Sequence, residues 1–575
     1  MEPTFLQLKQ NSKREIQGLP EYRLSIIADC ATQHLAMALK GYAYQEGLGL
    51  QIFEAEYNQL DAQVLDQHSE LYRSRPQSVL MFMCTEKLYE AFSDAAPEQR
   101  AGFADQMMEK IEGYWQQINA RTKTNILQFT FVDQDDCVFG NLGLKIMDSF
   151  LFQLQKLNFL LSSRCQGYKN VYLISLNHLQ MRIGASRFRD SRLYYIAKMP
   201  ISTEALPVVS KSVIDVVKAL LGRLKKCIIL DLDNTLWGGV IGDDGLSGIQ
   251  LGELGLGHAF TDFQVWLREL KNRGIILAVC SKNEEHIAKE PFVSHPDMVL
   301  RLEDISLFVA NWEDKASNIR FIQQTLNIGM DSIVFLDDNP FERELVRSLI
   351  PDIMVPELPE DPALYLSYCR GLNLFETVSH SEEDRHRTEQ YRSEAGRVQL
   401  QQTFSSYDEY LQNLGMVAVA APFDPFHYPR IAQLTQRSNQ FNLRTIRHTE
   451  ADVEALAQDP EHLTLYFTLK DRFGDHGLIS VVVLDRQEDG VLFISQWLMS
   501  CRVLKRGMEE FIINRIMKTA REQGYRRVVG EYLPTPKNAM VAELYGRLGF
   551  QPEGAGLFSA DVRSFQPHQT YIKEE

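Results

Sequence analysis

Two aspartates, Asp231 and Asp233, directly follow a short apolar run in the sequence CIILDLDNT. The run from Cys227 to Leu230 is typical of a buried strand in a parallel sheet, and ligands of such sheets bind beyond the carboxyl ends of the strands. Two carboxylates buried together repel each other unless a cation neutralises them, and Mg²⁺ prefers oxygen ligands. The spacing therefore predicts a magnesium site at the end of this strand.

Three further segments supply groups that a phosphoryl-transfer site needs. Ser281 follows the apolar run IILAVC and offers a hydroxyl, whereas Lys315 opens a predicted helix and offers a positive charge. Asp337 and Asp338 follow the run SIVFL and offer a second pair of carboxylates. Such a set fits Mg²⁺-assisted phosphoryl transfer, in which a carboxylate attacks phosphorus while the cation and the lysine neutralise the oxygens. An acidic strand end that only solvates a turn is the alternative, but four motifs in order at strand ends argue against it.

The bulk composition restricts the classes of function that remain. The chain has 575 residues and a net charge of −16, so it has no large basic excess with which to neutralise the phosphates of a nucleic acid. Its 8 cysteines include no CxxC pair, which indicates reduced thiols rather than a disulfide framework or a zinc site. The segment Met1–Ile16 does not resemble a signal peptide, and no apolar run is long enough to span a membrane. We therefore expect a cytoplasmic protein without nucleic-acid or membrane partners.

The order of apolar segments predicts a multidomain α/β protein. Strands alternate with helices in residues 1–215 and again in residues 216–378, which predicts two domains that each contain a parallel sheet. A short strand is expected at Asp297–Leu302 in the second of them. A charged helix over residues 379–404 is expected to form a solvated linker. Residues 405–575 contain successive antiparallel strands followed by helices, which is typical of an α+β domain.

The four motifs resemble those of the haloacid-dehalogenase (HAD) phosphatase superfamily, with its Rossmann-like sheet. The resemblance implies that Asp231 is the nucleophile that forms an aspartyl-phosphate. It implies that Asp233 is the general acid and base, with its backbone carbonyl on Mg²⁺. The metal ligands implied are Asp231, Asp233 and Asp337, with Asp338 as a further candidate. The candidates for binding the phosphoryl group are Ser281, Lys282, Asn283 and Lys315.

The segment between the first two motifs is short. It runs from Trp237 to Arg273 and contains a glycine-rich loop and one predicted helix. Such a length leaves little room for a separate cap domain. We therefore expect a crevice that is open to large substrates or is covered by a neighbouring domain.

A closer resemblance, across roughly residues 220–560, is to the FkbH-like proteins. It rests on the segments DLDNTLWGG, SKNEE, NWEDKASNIR, LDDNPFERELVR, SCRVLKRG and LYGRLGF. FkbH-like proteins are HAD-type enzymes that load a glyceryl unit onto an acyl carrier protein in polyketide and related pathways. The resemblance implies that 1,3-bisphosphoglycerate, or a similar acyl phosphate, acylates an enzyme cysteine. It further implies that the remaining phosphate is removed at the Mg²⁺ site and that glyceryl passes to the phosphopantetheine thiol of the carrier.

The two outer domains show looser resemblances. The first resembles the flavodoxin-like fold of SGNH hydrolases, and it has Cys30, in ADC, where their GDS motif has serine. No matching D-x-x-H motif is clear, so we expect a degenerate, docking or scaffold domain. The last domain resembles the GNAT acyltransferases. Its loop LKRGME has Leu504 and Glu509 where the GNAT phosphate-binding motif has a glutamine or arginine and a glycine or alanine. Ordinary acetyl-CoA binding is therefore not expected, although the groove remains available to a pantetheine arm.

Cys501 is the predicted acyl-bearing thiol. It follows a predicted strand and precedes a predicted helix, and Arg502, Lys505 and Arg506 lie beside it in the sequence. A helix N-terminus and nearby cations favour the thiolate form and would help to bind a phosphorylated acyl donor, with Arg502 as the foremost candidate. His476, in RFGDHG, is a candidate base. A buried structural cysteine is the alternative reading.

Other thiols and other functions stay open at this point. Cys30 is the second candidate for the thiol, whereas Cys280 is expected to face the core of the sheet. A plain Mg²⁺-dependent phosphatase of a small phosphorylated metabolite is the first alternative function. A carrier-recruiting module with an inactive HAD site is the second, and the intact set of motif residues argues against it.

Overall fold

The structure is a computed structural model that describes residues 3–14, 18–380, 387–389, 391, 407–472 and 474–575. Most of the predicted linker, residues 379–404, lies outside the described residues, as does the side chain of Arg502. The chain divides into two compact units, Met1–Val217 and Lys218–Glu575. The finer domain limits inferred from the sequence stay predictions.

The first unit is built on a parallel sheet. Its strands are β1 (Glu21–Ala28), β2 (Gly49–Glu54), β3 (Ser78–Phe82), β4 (Asn125–Phe129) and β5 (Val171–Ile174). The strand order is β2-β1-β3-β4-β5, and every neighbouring pair is parallel. All side chains of β3 are buried, as expected for a central strand that is covered on both faces. The predicted α/β class of this part of the chain is confirmed.

Helices connect these strands. They are α1 (Phe5–Asn11), α2 (Gln33–Gln45), α3 (Leu60–Leu65), α4 (Glu70–Arg73), α5 (Thr85–Asp94), α6 (Pro97–Arg100), α7 (Phe103–Arg121), α8 (Phe150–Arg164), α9 (Leu176–Ile183), α10 (Ala185–Phe188), α11 (Ser191–Ala197) and α12 (Leu206–Leu220). The apolar faces of α7 and α8 bury Trp115 and Leu154 in one core with side chains of β3.

The second unit begins with another parallel sheet, which we call the four-stranded sheet. Its described strands are β6 (Cys227–Leu230), β7 (Ile276–Ser281), β8 (Ile305–Ala310) and β9 (Ile333–Leu336), in the order β8-β7-β6-β9. Ile228 and Leu230 face one hydrophobic core and Cys227 and Ile229 face another, so β6 is buried on both sides. The continuous apolar run before Asp231 reflects this double burial.

One strand prediction in this sheet is wrong. Residues 297–302 form no strand, and the third strand in sequence order is β8 at Ile305–Ala310. Met298 and Leu300 are buried, which explains the apolar pattern. The backbone N–H groups of Val299 and Leu300 donate to the side-chain oxygen of Gln264, at 3.0 and 3.1 Å, instead of to a neighbouring strand.

The last part of the chain forms a mixed sheet, which we call the eight-stranded sheet. Its described strands are β10 (Val417–Ala421), β11 (His462–Asp471), β12 (Gly474–Gln487), β13 (Val491–Met499), β14 (Arg527–Glu531), β15 (Gln551–Gly554), β16 (Leu557–Asp561) and β17 (Lys573–Glu574). The order is β15-β16-β14-β13-β12-β11-β10-β17, and β10 to β13 form an antiparallel meander. The predicted α+β class is confirmed.

Strands β13 and β14 are parallel but separate after a short stretch. They pair only from Val491 to Ile494 on β13. Beyond that point the segment 441–443 fills the gap, because Met499 N–H donates to Phe441 and Leu443 N–H donates to Trp497. On its other side, Leu443 accepts from Leu533 N–H. The backbone groups of β13 at this gap are therefore bonded within the chain.

Helices of the second unit cover both of its sheets. They are α13 (Ile241–Gly248), α14 (Gly255–Asn272), α15 (Glu285–Ser294), α16 (Lys315–Leu326), α17 (Pro340–Leu349), α18 (Tyr365–Leu372), α19 (Tyr407–Asn413), α20 (Tyr428–Arg437), α21 (Glu450–Gln458), α22 (Met508–Glu522) and α23 (Leu544–Arg547). Only α13 and α14 lie between the first two motifs, as expected for a crevice without a large cap. Among the described residues, none of the helices combines the length and apolarity that crossing a membrane would require.

The contact of α1 with α2 gives a stability prediction. A Cβ atom at Gly41, in α2, would lie 2.0 Å from the carbonyl oxygen of Leu8, in α1, so Gly41→Ala should destabilise the protein by about 1–3 kcal/mol. Gly113, in α7, is the matched control because a Cβ atom there meets nothing within 4 Å. Gly113→Ala should be stabilising by about 0.5–1 kcal/mol. Urea denaturation measures both, and wild-type stability in Gly41→Ala would contradict the packing described.

Candidate active site

The carboxyl ends of β6 and β9 bring Asp231 and Asp337 together around Lys315. Asp231 is 6% exposed and Asp337 is fully enclosed. The ammonium nitrogen of Lys315 lies 3.0 Å from Asp231 Oδ2 and 2.5 Å from Asp337 Oδ2. Lys315 is the first residue of α16 and is itself buried, so the helix fixes its position at this end of the sheet. The structure thus unites three residues that the sequence placed far apart.

Burial controls the protonation of this triad. It raises the pKa of Asp231 to about 6, with Lys315 opposing the rise and the charge of Asp337 adding to it. Burial also raises the pKa of Asp337, again against the opposing charge of Lys315. Burial alone would lower the pKa of Lys315, but the two carboxylates outweigh it and raise that pKa above its usual value. One ammonium group therefore faces two carboxylates, and the remaining negative charge would stabilise a further cation here.

Three carboxylates are close enough to hold that cation. Asp231, Asp337 and Asp338 each offer one oxygen, and these oxygens lie within 4.8 Å of one another. Burial, followed by the charge of Asp231, raises the pKa of Asp338 as well. Buried oxygen donors with uncompensated negative charge fit Mg²⁺. Asp233 contributes no carboxylate oxygen to this cluster, which leaves its backbone carbonyl as the expected ligand atom.

The carboxylate of Asp233 is held in place by three donors. Its Oδ1 accepts hydrogen bonds from Trp237 Nε1 at 2.9 Å and from the backbone N–H of Ile241 at 3.0 Å. Its Oδ2 accepts from Asn283 Nδ2 at 2.8 Å. Trp237 is fully buried, so the indole that anchors Oδ1 is itself fixed. A single orientation beside the reacting group is what proton transfer requires.

The predicted phosphate-binding residues divide into two groups. Ser281 and Asn283 are buried at the end of β7, where Asn283 Nδ2 also donates to Ser281 Oγ at 3.3 Å. Asn283 contacts Asp233, and Ser281 contacts Asn283, so both belong to the same crevice. Lys282 instead pairs with Glu342, with 2.6 Å between its ammonium nitrogen and Glu342 Oε1. Its ammonium is therefore already neutralised by a carboxylate.

Two residues that the sequence reasoning did not assign hold the acidic loop after β9. Arg343 Nη1 donates to the carbonyl oxygens of Asp337 and Asp338, at 2.8 and 2.6 Å. Thr235 Oγ1 accepts from the backbone N–H of Asp338 at 3.2 Å and lies 3.4 Å from Asp338 Oδ1. Both residues lie in the motifs DLDNT and LDDNPFERELVR, so their positions in these motifs could have identified them from the sequence.

Cys501 lies at the opposite end of the four-stranded sheet from Asp231. It begins a short 3₁₀ turn after β13, and its carbonyl oxygen accepts a hydrogen bond from Asn327 Nδ2. Asn327 follows the last residue of α16, whereas Lys315 is the first. A helix of 12 residues is about 18 Å long. The structure therefore does not bring the predicted thiol together with the predicted nucleophile.

Cys501 does line a cavity. The cavity has a volume of about 270 Å³, and Lys226, which precedes β6, and Ile276, which begins β7, contribute to its wall. Cys501 is partly exposed. Of the cations beside it in the sequence, Arg506 faces away, since Arg506 Nη1 lies 3.2 Å from the buried carboxylate of Asp471. The side chain of Arg502 is outside the described residues.

His476 and Cys30 occupy enclosed positions. His476 is 2% exposed, with its Nε2 3.0 Å from Asp471 Oδ2 and 2.9 Å from Arg506 Nη1. Within the described part of the chain, none of these hydrogen bonds involves Cys501. Cys30 is also 2% exposed, and burial raises its pKa well above the usual value, with Cys84 and Asp29 adding to the rise. A thiol in that setting is a poor nucleophile.

The groove of the last domain is altered in two places. The segment 441–443 already fills the gap between β13 and β14, so the backbone of β13 is not open to a pantetheine arm there. The expectation that another part of the groove holds a pantetheine arm stays a prediction. Glu509, in the first turn of α22, is buried, and burial raises the pKa of its carboxyl. A carboxylate at this helix start occupies the place where a phosphate would otherwise be stabilised.

The triad gives a stability prediction that includes the metal. Lys315→Met leaves Asp231 and Asp337 buried without their counter-charge, so it should destabilise the second unit by about 3–5 kcal/mol in EDTA. Excess Mg²⁺ should restore part of this loss because the cation replaces the missing charge. Lys289→Met is the matched control, since Lys289 and Glu285 form an exposed pair whose removal should cost under about 1 kcal/mol. Equal effects of the two substitutions in chemical denaturation would contradict the role given to Lys315.

Comparisons with known proteins identify a matching family and similar structures. A family profile described as FkbH, N-terminal domain, matches residues 23–218. The crystal structure of the N-terminal part of the protein BF1531 from Bacteroides fragilis, described as containing a phosphatase domain and complexed with Mg, is 45% identical. The alignment covers 66% of this chain and 100% of that chain, with a TM-score of 0.63. No curated protein matches the chain.

Acetyltransferase structures align with a smaller part. The ribosomal-protein-S18-alanine N-acetyltransferase from Escherichia coli is 12% identical, with 25% of this chain and 94% of that chain covered at a TM-score of 0.20. The spermidine N-acetyltransferase from Vibrio cholerae is 15% identical, with 26% and 97% covered at a TM-score of 0.21. These scores add nothing to the fold described above. The relative from Bacteroides fragilis, similar over its whole length, and the matched FkbH domain show that this chain belongs to the FkbH-like family of HAD-type proteins.

Proposed function

We propose that the protein is a Mg²⁺-dependent phosphatase of the HAD type whose reaction is coupled to the transfer of a glyceryl group onto an acyl carrier protein. The observation that carries the phosphatase half is the cluster of Asp231, Asp337 and Asp338 around Lys315 at one sheet end. The 45% identical relative, described as containing a phosphatase domain and complexed with Mg, supports the same reading.

Different residues of the site perform the separate steps of phosphate removal. A carboxylate oxygen of Asp231 attacks phosphorus, the bond from phosphorus to the ester oxygen breaks, and Asp233 gives a proton to the departing alcohol. Asp233 then takes a proton from the water that attacks the aspartyl-phosphate, so that inorganic phosphate leaves and Asp231 is regenerated. Lys315 neutralises charge on the phosphoryl oxygens throughout. When bound, Mg²⁺ supplies a second positive charge and orients the phosphoryl group.

Cys501 is assigned to the acyl-transfer half. Its thiolate attacks the carbonyl carbon of an acyl phosphate, the bond from carbon to the bridging oxygen breaks, and phosphate leaves with the electron pair. The resulting thioester is then exchanged onto the thiol of the carrier arm. Support comes from the partly exposed thiol in a cavity with basic walls, and from the family resemblance, which suggests 1,3-bisphosphoglycerate as the donor.

The separation of the two sites limits how they can be coupled. About 18 Å of helix α16 lies between Lys315 and the neighbour of Cys501, so a group on Cys501 does not reach Asp231 by a side-chain rotation. We propose that the carrier arm moves the acyl group between the sites. Exposed aromatic side chains beside the open crevice, Trp312 and Phe341 at 70% each, are suited to contact with a protein partner.

The same separation favours one alternative. If Cys501 carries no acyl group, the protein is a plain Mg²⁺-dependent phosphatase of a small phosphorylated metabolite. A carrier-recruiting module with an inactive site is less compatible with the ordered hydrogen bonds of Asp233.

Replacing the nucleophile tests the phosphatase half. Asp231→Asn should lower the hydrolysis of p-nitrophenyl phosphate in Mg²⁺ by at least about a thousandfold, because an amide cannot form the acyl phosphate. EDTA should abolish the activity of the wild type. Asp352→Asn, at an exposed turn outside the cluster, should retain it. Equal activity of Asp231→Asn and wild type would refute the assignment.

Intact-protein mass spectrometry tests the acyl half. After mixing with 1,3-bisphosphoglycerate generated in situ, wild type and Asp231→Asn should carry an acyl adduct that Cys501→Ala lacks. Cys137→Ala is the control, because Cys137 is an exposed cysteine of the first unit. With carrier protein added, the carrier-bound group should keep its phosphate in Asp231→Asn and lose it in the wild type. An adduct on Cys501→Ala would move the thiol elsewhere, and phosphate release without any adduct would support the plain phosphatase.

A further inference from the structure

The cavity beside Cys501 lies wholly within the second unit, at the amino end of the four-stranded sheet. Its volume of about 270 Å³ is enough for a small organic molecule or part of one. One part of its wall comes from residues that precede or begin β6 and β7, and another comes from Met499, Ser500 and Cys501 at the end of β13. The cavity is therefore shared by the two sheets of this unit.

The charged side chains of the wall are mostly basic. Among the residues that the structure describes, Asp331 is the single carboxylate of the lining, against five cationic residues: Lys226, Arg387, Arg430, Arg437 and Lys537. This excess is local, since the whole chain has a net charge of −16. Lys537 forms an ion pair with Asp331. Although burial works against it, Lys537 and then Lys226 hold the pKa of Asp331 below its usual value.

Lys226 is the cation whose surroundings point most clearly to an anion. Its ammonium nitrogen donates to the carbonyl oxygen of Arg437 at 2.5 Å. Burial lowers its pKa to about 8, the charge of Cys501 opposes this, and the positive charges of Arg437 and Arg387 add to it. A bound anion would offset the cost of enclosing this ammonium. Lys226 and Cys501 both line the cavity.

The wall also contains an acceptor that a ligand can satisfy. Gln440 Oε1 is buried and accepts no hydrogen bond within the described residues. A buried acceptor without a donor costs free energy, so a ligand that brings an O–H or N–H group to it gains binding energy. A ligand that suits the cavity therefore carries both a negative charge and an uncharged O–H or N–H hydrogen-bond donor.

We infer that the cavity around Cys501 is a binding site for an organic phosphate that also carries a hydroxyl or amide donor. The phosphate is held by Lys226 and the neighbouring basic side chains, and the donor faces Gln440. Acyl phosphates of hydroxy acids and the 4′-phosphopantetheine arm of a carrier share this chemistry. The inference deepens the proposed function and rests on it for the role of Cys501, but the binding site itself is independent of the cluster around Asp231.

Protection of Cys501 from alkylation tests the inference. The full-length protein is treated with iodoacetamide in EDTA, and the rates at Cys501 and at exposed Cys137 are followed by peptide mass spectrometry. In separate arms, 3-phosphoglycerate, glycerol 3-phosphate and 4′-phosphopantetheine are added. At least one should slow alkylation of Cys501 about tenfold or more at millimolar concentration while Cys137 is unaffected. Protection by phosphopantetheine alone assigns the site to the carrier arm, and protection by the smaller phosphates assigns it to the acyl donor.

Variants of the wall identify the binding residues. Lys226→Met should abolish protection, whereas Lys226→Arg should retain part of it. Lys537→Met, at a partly exposed position, should weaken protection at least threefold, which keeps the test decisive if Lys226→Met fails to fold. Lys289→Met, in α15, is the control. The phosphate compounds should protect Cys501 from alkylation in this variant as they do in the wild type.

The result that overturns the inference is distinct from the failure of the phosphatase proposal. The site is excluded if none of the phosphate compounds slows the alkylation of Cys501. It is also excluded if protection survives in both Lys226→Met and Lys537→Met. Asp231→Asn should show full protection, because its side chain lies at the other end of the sheet. Loss of protection in Asp231→Asn would also refute the inference, since it would place the phosphate in the crevice of Asp231.

Discussion

The buried ammonium of Lys315 is the group on which the active-site end of the structure depends. It contacts Asp231 and Asp337 at the same time and lets two carboxylates exist within a region that excludes water. Its position follows from α16, which begins at Lys315, and from the strands β6 and β9, whose carboxyl ends carry the aspartates. Since one positive charge faces two negative ones, the site retains an affinity for a further cation. Thr235 and Arg343 then hold the loop that carries Asp338, the third carboxylate.

Because its strands are parallel, the two ends of the four-stranded sheet carry different chemical groups. Carboxylates and hydroxyls gather at the carboxyl ends, beside the start of α16. Lys226 and the wall of the basic cavity lie at the amino ends, beside the end of α16. The eight-stranded sheet adds Cys501 to the second location only. Cys501 and the cluster around Asp231 therefore lie in separate places, and the proposed function requires a mobile carrier arm to connect them. The last domain contributes Cys501 to the wall of the basic cavity, and its own segment 441–443 fills the gap beside β13.

How far the sequence could predict this structure depended on the range of the interactions. Asp231, Ser281, Lys315 and Asp337 could be placed together because each follows a strand or begins a helix of one parallel sheet, whose geometry is general. The strand expected at 297–302 is not formed, because Met298 and Leu300 are buried without strand pairing. The backbone N–H groups of Val299 and Leu300 donate to the side chain of Gln264 instead. The partners of Cys501 could not be predicted either. Arg506, close to Cys501 in the sequence, pairs with Asp471, whereas Lys226 lines the cavity of Cys501 from a distant part of the chain, and no local sequence pattern indicates that proximity.

The proposed phosphatase reaction depends on covalent phosphorylation of Asp231, which chemical trapping detects. Borohydride added during turnover of a phosphate ester in Mg²⁺ reduces an acyl phosphate to an alcohol, and peptide mass spectrometry locates the reduced side chain. We expect reduction at Asp231 in the wild type, and no reduction at this position in EDTA. Reduction at a different carboxylate, or none during rapid turnover, would contradict it.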